Sequence, residues 1–308
     1  MRKHSYQVLS MVAFVATVLA ACSTDTSERG DEPDREDVLD QAVQELVAMP
    51  GGPPGAIVVV QRGAERSVHA AGVAEVGSDA APGVDDHRRL ASVAKAFSGA
   101  AVLSLVDEGV MSLDDTIGER LPNLPDAWSA VTLRQLLDHT SGLPDYSGSD
   151  AFASAVTASP AEAPPPAELL AYVEDQPLVF PPGTQYTYSN TDNITVGLMI
   201  EAVTGQDYAD VLAERVFEPL ELDNTSLPTG TELPEPFLHG YALDDDGQLE
   251  DQSTLVSAGY AWASGGMVST PADLTDFIRS YVGGELFSDE ARAEQQDVFI
   301  PAGASAPA

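Results

Sequence analysis

Two strand-like segments, AIVVVQRG and ERSVHAAGVAEV, follow one another near the start of the chain, and helical patterns come after them. Gly63 and Ala64 join the two segments, which predicts an antiparallel hairpin. A hairpin alone is only marginally stable in water, so these strands need more sheet or helices to cover them. Strands first and helices afterwards predict an α+β fold rather than alternating βαβ units.

Several later segments carry apolar residues at helical spacing. The clearest runs from Ser92 to Glu108, and Gly109 supplies a C-terminal stop. Another begins at Thr270, an N-cap residue that Pro271 and then Asp273 follow. The remaining predicted helices cover residues 38–47, 133–139, 167–175, 192–203 and 208–217.

The first 22 residues have the pattern of a secretory signal. MRKH is positively charged, and the apolar run from Val8 to Leu19 is shorter than the ~20 residues that span a bilayer. The segment ends in LAAC, which resembles the bacterial lipoprotein cleavage box, and Cys22 is the only cysteine. We therefore predict a lipoprotein signal peptide over 1–22 and a protein held outside the cytoplasm by a lipid on Cys22. A simple signal peptide with a chance cysteine is the alternative.

The segment after the signal, residues 23–37, is acidic and contains no aliphatic or aromatic side chain. Such a stretch cannot bury enough apolar surface to fold, which predicts a disordered tether. One folded domain is then expected over 38–308, and with 44% hydrophobic residues the chain has enough apolar material for a core.

The chain is strongly acidic, with 49 Asp and Glu against 14 Lys and Arg and a formal net charge of −35. This excludes nucleic acid or an anionic surface as a partner, because both require clustered basic residues. The excess of acids fits either a salt-adapted surface or an ordinary acidic secreted protein. The only membrane contact expected is the lipid anchor, and we expect a monomer.

Lys95 and Lys3 are the only lysines, although the chain has twelve arginines. Ser92 precedes Lys95 by three residues, so on a helix their side chains lie one turn apart on the same face. A buried amine can lose its proton and activate a serine hydroxyl, whereas a guanidinium stays charged. The pair predicts a serine nucleophile with a lysine base; the alternative is a surface lysine that happens to follow a serine.

A second candidate element is TYSNTDN, which contains Tyr188 and Asn190. A tyrosine hydroxyl near the Ser-Lys pair could relay protons, and the asparagine could orient the lysine and a substrate amide. Taken alone, these residues are better explained structurally, Tyr188 as a core aromatic and Asn190 as a helix N-cap. Their combination with SVAK favours the catalytic interpretation.

Four motifs in order, SVAK, LLDHTSGLPDY, PPGTQYTYSN and SAGYAWASGGMVSTPADL, resemble the serine β-lactamase and D-alanyl-D-alanine carboxypeptidase family. The likeness is to the class C side, where Tyr-x-Asn replaces Ser-Asp-Asn. It implies an antiparallel sheet flanked by helices, with a helical lobe. It also implies that Ser92 is the acylated nucleophile, that Lys95 is its base, and that Tyr188 and Asn190 form the second motif.

The family's third motif, Lys or His, then Thr or Ser, then Gly, is not found after the helix that starts near Thr270. His139 begins HTSG but precedes the second motif, and His239-Gly240 has no hydroxyl residue between its two members. By the family pattern the last sheet strands are missing, which indicates either a truncated record or a damaged homologue. We favour truncation, because the first two motifs are intact.

Two functions follow from these observations. One is a serine acyl hydrolase acting through an acyl-enzyme on a peptidoglycan stem peptide, a β-lactam or an ester. The other is a non-catalytic lipoprotein that binds wall peptides or penicillin-like ligands without turnover. No metal or other cofactor is expected, because the five histidines are scattered and HExxH is absent. The absence of GxSxG argues against an α/β-hydrolase. Arg134 and Arg279 are candidates for a substrate carboxylate, but a surface role is favoured.

Overall fold

The N-terminal hairpin is present as predicted. The computed structural model of the protein describes residues 35–244 and 246–296. Strands β1 (Gly55–Arg62) and β2 (Glu65–Gly72) pair antiparallel, with Arg62 opposite Glu65 across the Gly63-Ala64 turn. The predicted second strand, 65–76, ends early at Gly72, because the backbone turns into the left-handed region there (φ 74°).

The other strands are short. They are β3 (Arg88–Arg89), β4 (Tyr241–Leu243), β5 (Leu249–Asp251) and β6 (Val268–Ser269). Within the described residues, β3 pairs with β6 and β4 pairs with β5, both antiparallel, so the strands form three separate two-stranded ladders. The α+β class is confirmed.

Helices are the commonest regular element of the described chain. They are α1 (Arg35–Ala48), α2 (Ala94–Asp107), α3 (Ile117–Arg120), α4 (Leu133–Leu137), α5 (Asp150–Ala158), α6 (Pro166–Leu170), α7 (Asn190–Thr204), α8 (Tyr208–Leu212), α9 (Trp262–Gly265), α10 (Pro271–Gly283) and α11 (Asp289–Gln296). None of them is long and apolar enough to cross a bilayer.

The core lies between α2 and α7, two helices that are buried over most of their surface. Helices α4, α6, α8 and α9 pack against α7, and α9 and α11 pack against α2. Phe97 on α2 stacks on Phe277 of α10 with ring centroids 3.6 Å apart. Lys95 on α2 and Asn190 on α7 are therefore carried by the helices that form the core.

Helices also cover the hairpin, because α1 packs against both strands and α10 packs against β1. His69 of β2 is only 2% exposed, and its Nδ1 lies 2.7 Å from Asp40 Oδ1 of α1. Helix α1 begins at Arg35, so the last three residues of the predicted tether, 35–37, are helical. The rest of that tether, the signal segment and Cys22 lie outside the described residues.

The predicted helix boundaries hold with local exceptions. Helix α4 ends before His139, where a φ of 54° is incompatible with a helix. Helix α6 ends at Leu170, after which the backbone hydrogen bonds join residues three positions apart. After α8 the chain continues as a π-helical turn over Ala213–Phe217. The predicted N-cap is confirmed, because the Thr270 hydroxyl accepts a hydrogen bond from the Asp273 amide.

Candidate active site

The Ser-Lys pair lies where a tight turn enters α2. Ser92 occupies a 3₁₀ turn, Ala91–Val93, and Lys95 lies in the first turn of α2. Ala91 has a φ of 47°, a left-handed conformation that is unfavourable for a residue with a Cβ atom. The backbone of Gly265 packs against Ala91, leaving little room for a side chain at residue 265. The turn leaves Ser92 exposed at the amino-terminal end of α2.

The Lys95 amine has three polar neighbours. Its Nζ lies 2.9 Å from Asn190 Oδ1, 2.6 Å from the backbone oxygen of Ser264 and 3.3 Å from Ser92 Oγ. The first two are carbonyl oxygens, which can only accept. A neutral amine that donates to both therefore has its lone pair left for the serine hydroxyl.

The ionisation of Lys95 is shifted toward the free amine. Burial lowers its pKa to about 8, and the carboxylates of Asp145 and Asp192 oppose that change. No carboxylate is among the hydrogen-bond acceptors of its Nζ. The desolvation of the charged form is thus only partly compensated, as a lysine base requires.

Tyr188 completes the contact with the serine. Its hydroxyl lies 2.6 Å from Ser92 Oγ and 3.4 Å from Asn190 Oδ1, and the Lys95 Nζ lies 4.8 Å from the centre of its ring. Burial raises the pKa of Tyr188, so the hydroxyl keeps its proton at neutral pH. With 39% of its surface exposed, Tyr188 is not a core aromatic.

Asn190 is held in one orientation by residues that precede α5. Its Nδ2 donates to Asp145 Oδ2 and to Ser147 Oγ, at 3.2 and 3.0 Å. Because the amide nitrogen is engaged there, the amide oxygen faces Lys95 and Tyr188. Asn190 is the first residue of α7, and Ser189 is the N-cap, so the alternative N-cap role is wrong.

A buried histidine and aspartate lie behind the tyrosine. The His139 Nδ1 donates to Asp192 Oδ2 at 2.8 Å, and the Ser141 hydroxyl donates to Asp192 Oδ1 at 2.5 Å. Asp192 is fully buried, and burial raises its pKa to about 6 although His139 opposes the shift. The His139 and Tyr188 ring centres are 4.6 Å apart. These contacts bring together residues of two motifs quoted above, LLDHTSGLPDY and TYSNTDN.

Arg134 lines the same cavity as Lys95 and His139, whereas Arg279 does not. The Arg134 Nη2 is paired with Glu294 at 2.7 Å, and Arg279 is exposed on α10. Within the described residues, neither arginine is hydrogen-bonded to Ser92, Lys95, Tyr188 or Asn190. In the part of the chain that the structure describes, no group of three or more His, Cys, Asp or Glu side chains is placed to hold a metal ion.

Several site residues were not among the predicted ones: Asp145, Ser264 and the His139-Asp192 pair. Asp145, His139 and Ser264 lie inside motifs quoted for the family resemblance, so position within a motif was the available signal. The backbone carbonyl of Ser264 could not be predicted from residue type, because every residue has one.

An α+β fold with a serine and a half-buried lysine at the start of its central helix defines the class of β-lactamase-fold serine hydrolases. A sequence model of the family described as Beta-lactamase matches residues 39–304, so the chain belongs to the β-lactamase family. The recognition made from the motifs is confirmed.

Similar proteins include peptidases and amidases. The chain is 26% identical over 262 residues to penicillin-binding protein 4* of Bacillus subtilis, covering 80% of this chain and 55% of that protein's length. It is 25% identical over 296 residues to the D-alanyl-D-alanine-carboxypeptidase/endopeptidase AmpH of Escherichia coli, covering 92% and 73%. A D-stereospecific amidohydrolase from Streptomyces sp. superposes with a TM-score of 0.77 at 31% identity, covering 86% of this chain and 78% of the other.

Proposed function

We propose that the protein is a serine acyl hydrolase that works through a covalent acyl-enzyme on Ser92. The observation that carries the proposal is the set of contacts around Lys95. Two carbonyl acceptors hold the amine, and the Ser92 oxygen lies at its remaining position. This arrangement gives the hydroxyl a base within one helical turn.

The first step transfers the Ser92 proton to Lys95 while Oγ forms a bond to the substrate carbonyl carbon. The carbonyl electron pair moves to its oxygen, next to the amino-terminal end of α2, where the helix dipole favours negative charge. Collapse of the tetrahedral intermediate breaks the bond to the leaving group. Tyr188, whose hydroxyl lies 2.6 Å from Oγ, donates a proton to that group and is reprotonated from Lys95. Water then releases the acyl group by the same route.

The proposed substrates are small amides and peptides in which the cleaved bond adjoins a D-amino acid residue. This comes from the relatives, one named as a D-alanyl-D-alanine carboxypeptidase/endopeptidase and another as a D-stereospecific amidohydrolase. Location outside the cytoplasm, with a lipid on Cys22, remains part of the proposal on the basis of the N-terminal sequence.

A second candidate is a protein that is acylated and does not turn over. The two candidates share Ser92 and differ in deacylation.

Labelling with a fluorophosphonate and with a fluorescent penicillin tests both candidates. Wild-type protein is expected to be labelled on Ser92 and Ser92→Ala is not, while Ser154→Ala, an exposed serine on α5, serves as the matched control. Label that still attaches to the Ser92→Ala protein contradicts the proposal. With a D-alanyl amide, repeated turnover supports the hydrolase, and a burst of one equivalent supports the acylated binder.

A further inference from the structure

A cavity of about 390 Å³ opens beside Ser92 and Asn190. One wall comes from α5, through Phe152 and Val156. Another part of the lining comes from the segment 252–261, which includes Val256 and Tyr260. The inference drawn from this cavity rests on the proposed function, because it concerns the substrate that Ser92 would attack.

The aromatic residues of the cavity present carbon rather than hydroxyl groups to its interior. The Tyr146 hydroxyl donates to the backbone oxygen of Tyr260 at 2.7 Å, and the Tyr260 hydroxyl donates to the backbone oxygen of Ser159 at 2.8 Å. The Phe152 ring is edge-on to both tyrosines, at 5.0 and 5.8 Å between ring centres. Because these hydroxyl protons are engaged by the backbone, the inner walls favour an apolar ligand group.

Charge is nearly absent from the cavity. Among the described residues, no acidic side chain lines it, and Arg89 is the only charged one that does. The Arg89 guanidinium donates to the backbone oxygens of Ser253, Thr231 and Val256, at 3.3, 2.8 and 3.1 Å. Through these hydrogen bonds Arg89 holds the backbone of Ser253 and Val256 in place. An ammonium group on the substrate would find no carboxylate among these lining residues and would face the Arg89 guanidinium, which is unfavourable.

The cavity lies on the acyl side of the scissile bond. The leaving group must receive a proton, so it has to lie near Tyr188 and Lys95. Neither residue lines this cavity, whereas Ser92 and Asn190 do. A separate cavity of about 310 Å³ is lined by Lys95, His139 and Tyr186. The acyl group stays on Ser92 after the leaving group departs, so it is the part of the substrate that binds in the cavity beside Ser92 and Asn190.

We propose that this cavity binds an uncharged apolar or aromatic side chain on the α-carbon of the acyl group, and that Phe152, Val156 and Val256 determine that specificity. Each methylene that a pocket accommodates is worth roughly 10–200-fold in specificity. A benzyl side chain should therefore be preferred over a methyl group by at least about tenfold.

The first measurement compares release of p-nitroaniline, including any burst, from the p-nitroanilides of D-phenylalanine, D-alanine and D-lysine. We expect the phenylalanine compound to acylate Ser92 at least about tenfold faster than the alanine compound, and the lysine compound to be slowest. Equal rates for the three compounds would overturn the specificity proposal.

Two substitutions narrow the cavity, one on α5 and one in the segment 252–261. Val156→Phe and Val256→Phe should each lower the phenylalanine-to-alanine rate ratio by about tenfold or more, while leaving fluorophosphonate labelling intact. Thr157→Phe, at the next and exposed position of α5, is the matched control and should keep the wild-type ratio. If both cavity variants keep the wild-type ratio, the side chain of the substrate does not bind in this cavity.

Calorimetry on the Ser92→Ala protein separates this inference from the proposed function. D-phenylalanine amide should bind at least about tenfold tighter than D-alanine amide even though acylation is impossible. Equal affinities overturn the cavity assignment alone. Failure of the wild-type protein to be labelled at Ser92 overturns the proposed function, whatever the two amides do.

Discussion

Acidification is expected to slow the acylation of Ser92 because Lys95 must be a free amine to accept the serine proton. The pKa of Lys95 is lowered to about 8 by burial. Above that pH the amine is free. Below it, each pH unit lowers the free-amine fraction about tenfold, so the rate at pH 6 should be about 100-fold below the plateau at pH 9.

The assay is the second-order rate constant for fluorophosphonate labelling between pH 6 and 9. The label is uncharged, so the pH dependence reports the protein. Hydrolysis of the reagent is measured separately, and the Ser92→Ala protein supplies the blank. Burial raises the pKa of Tyr188, so this hydroxyl stays protonated across the range.

Two results would refute the reasoning. A rate constant that is flat between pH 6 and 9 would show that no group with a pKa near 8 controls acylation. A Lys95→Arg protein labelled at the wild-type rate would show that the amine is not the base, because a guanidinium keeps its proton throughout this range.

Three further predictions concern single substitutions. Tyr188→Phe removes the hydroxyl 2.6 Å from Ser92 Oγ and should lower turnover of a D-alanyl amide by about 10²-fold or more, whereas an unchanged kcat would exclude proton transfer through Tyr188. Asp192→Asn removes a carboxylate that raises the pKa of Lys95, so the acid limb of the labelling profile should move to lower pH; a uniform loss of rate without that movement would indicate a purely structural role. Thr270→Ala removes the N-cap of α10 and should lower the free energy of unfolding in urea by about 1 kcal/mol, and the Thr270→Ser control should stay close to wild type.

Local patterns in the sequence were sufficient for much of the fold. The β1-β2 hairpin, the N-cap at Thr270 and the stop at Gly109 depend on residues within a few positions of one another, so turn and capping preferences predict them. The spacing of Ser92 and Lys95 is equally local, because three residues on a helix make one turn.

Helix ends were less predictable. The left-handed conformation at His139 ends α4; residues other than glycine adopt it uncommonly, although histidine does so more often than most. The His139 carbonyl accepts a hydrogen bond from the Thr187 amide, and its ring is bonded to Asp192. Contacts with distant segments outweigh local preference at this position.

The sequence by itself determined that a lysine stands one helical turn from a serine, and its motifs indicated the family. Only the tertiary structure decided which atoms surround that lysine. The Asn190 side chain and the Ser264 carbonyl come from segments far along the chain, and Asp145 sets the orientation of the asparagine. The physical reason is that desolvation and hydrogen bonding, which set the pKa of an amine, depend on neighbours in space, whereas spacing along a helix depends only on neighbours in the chain.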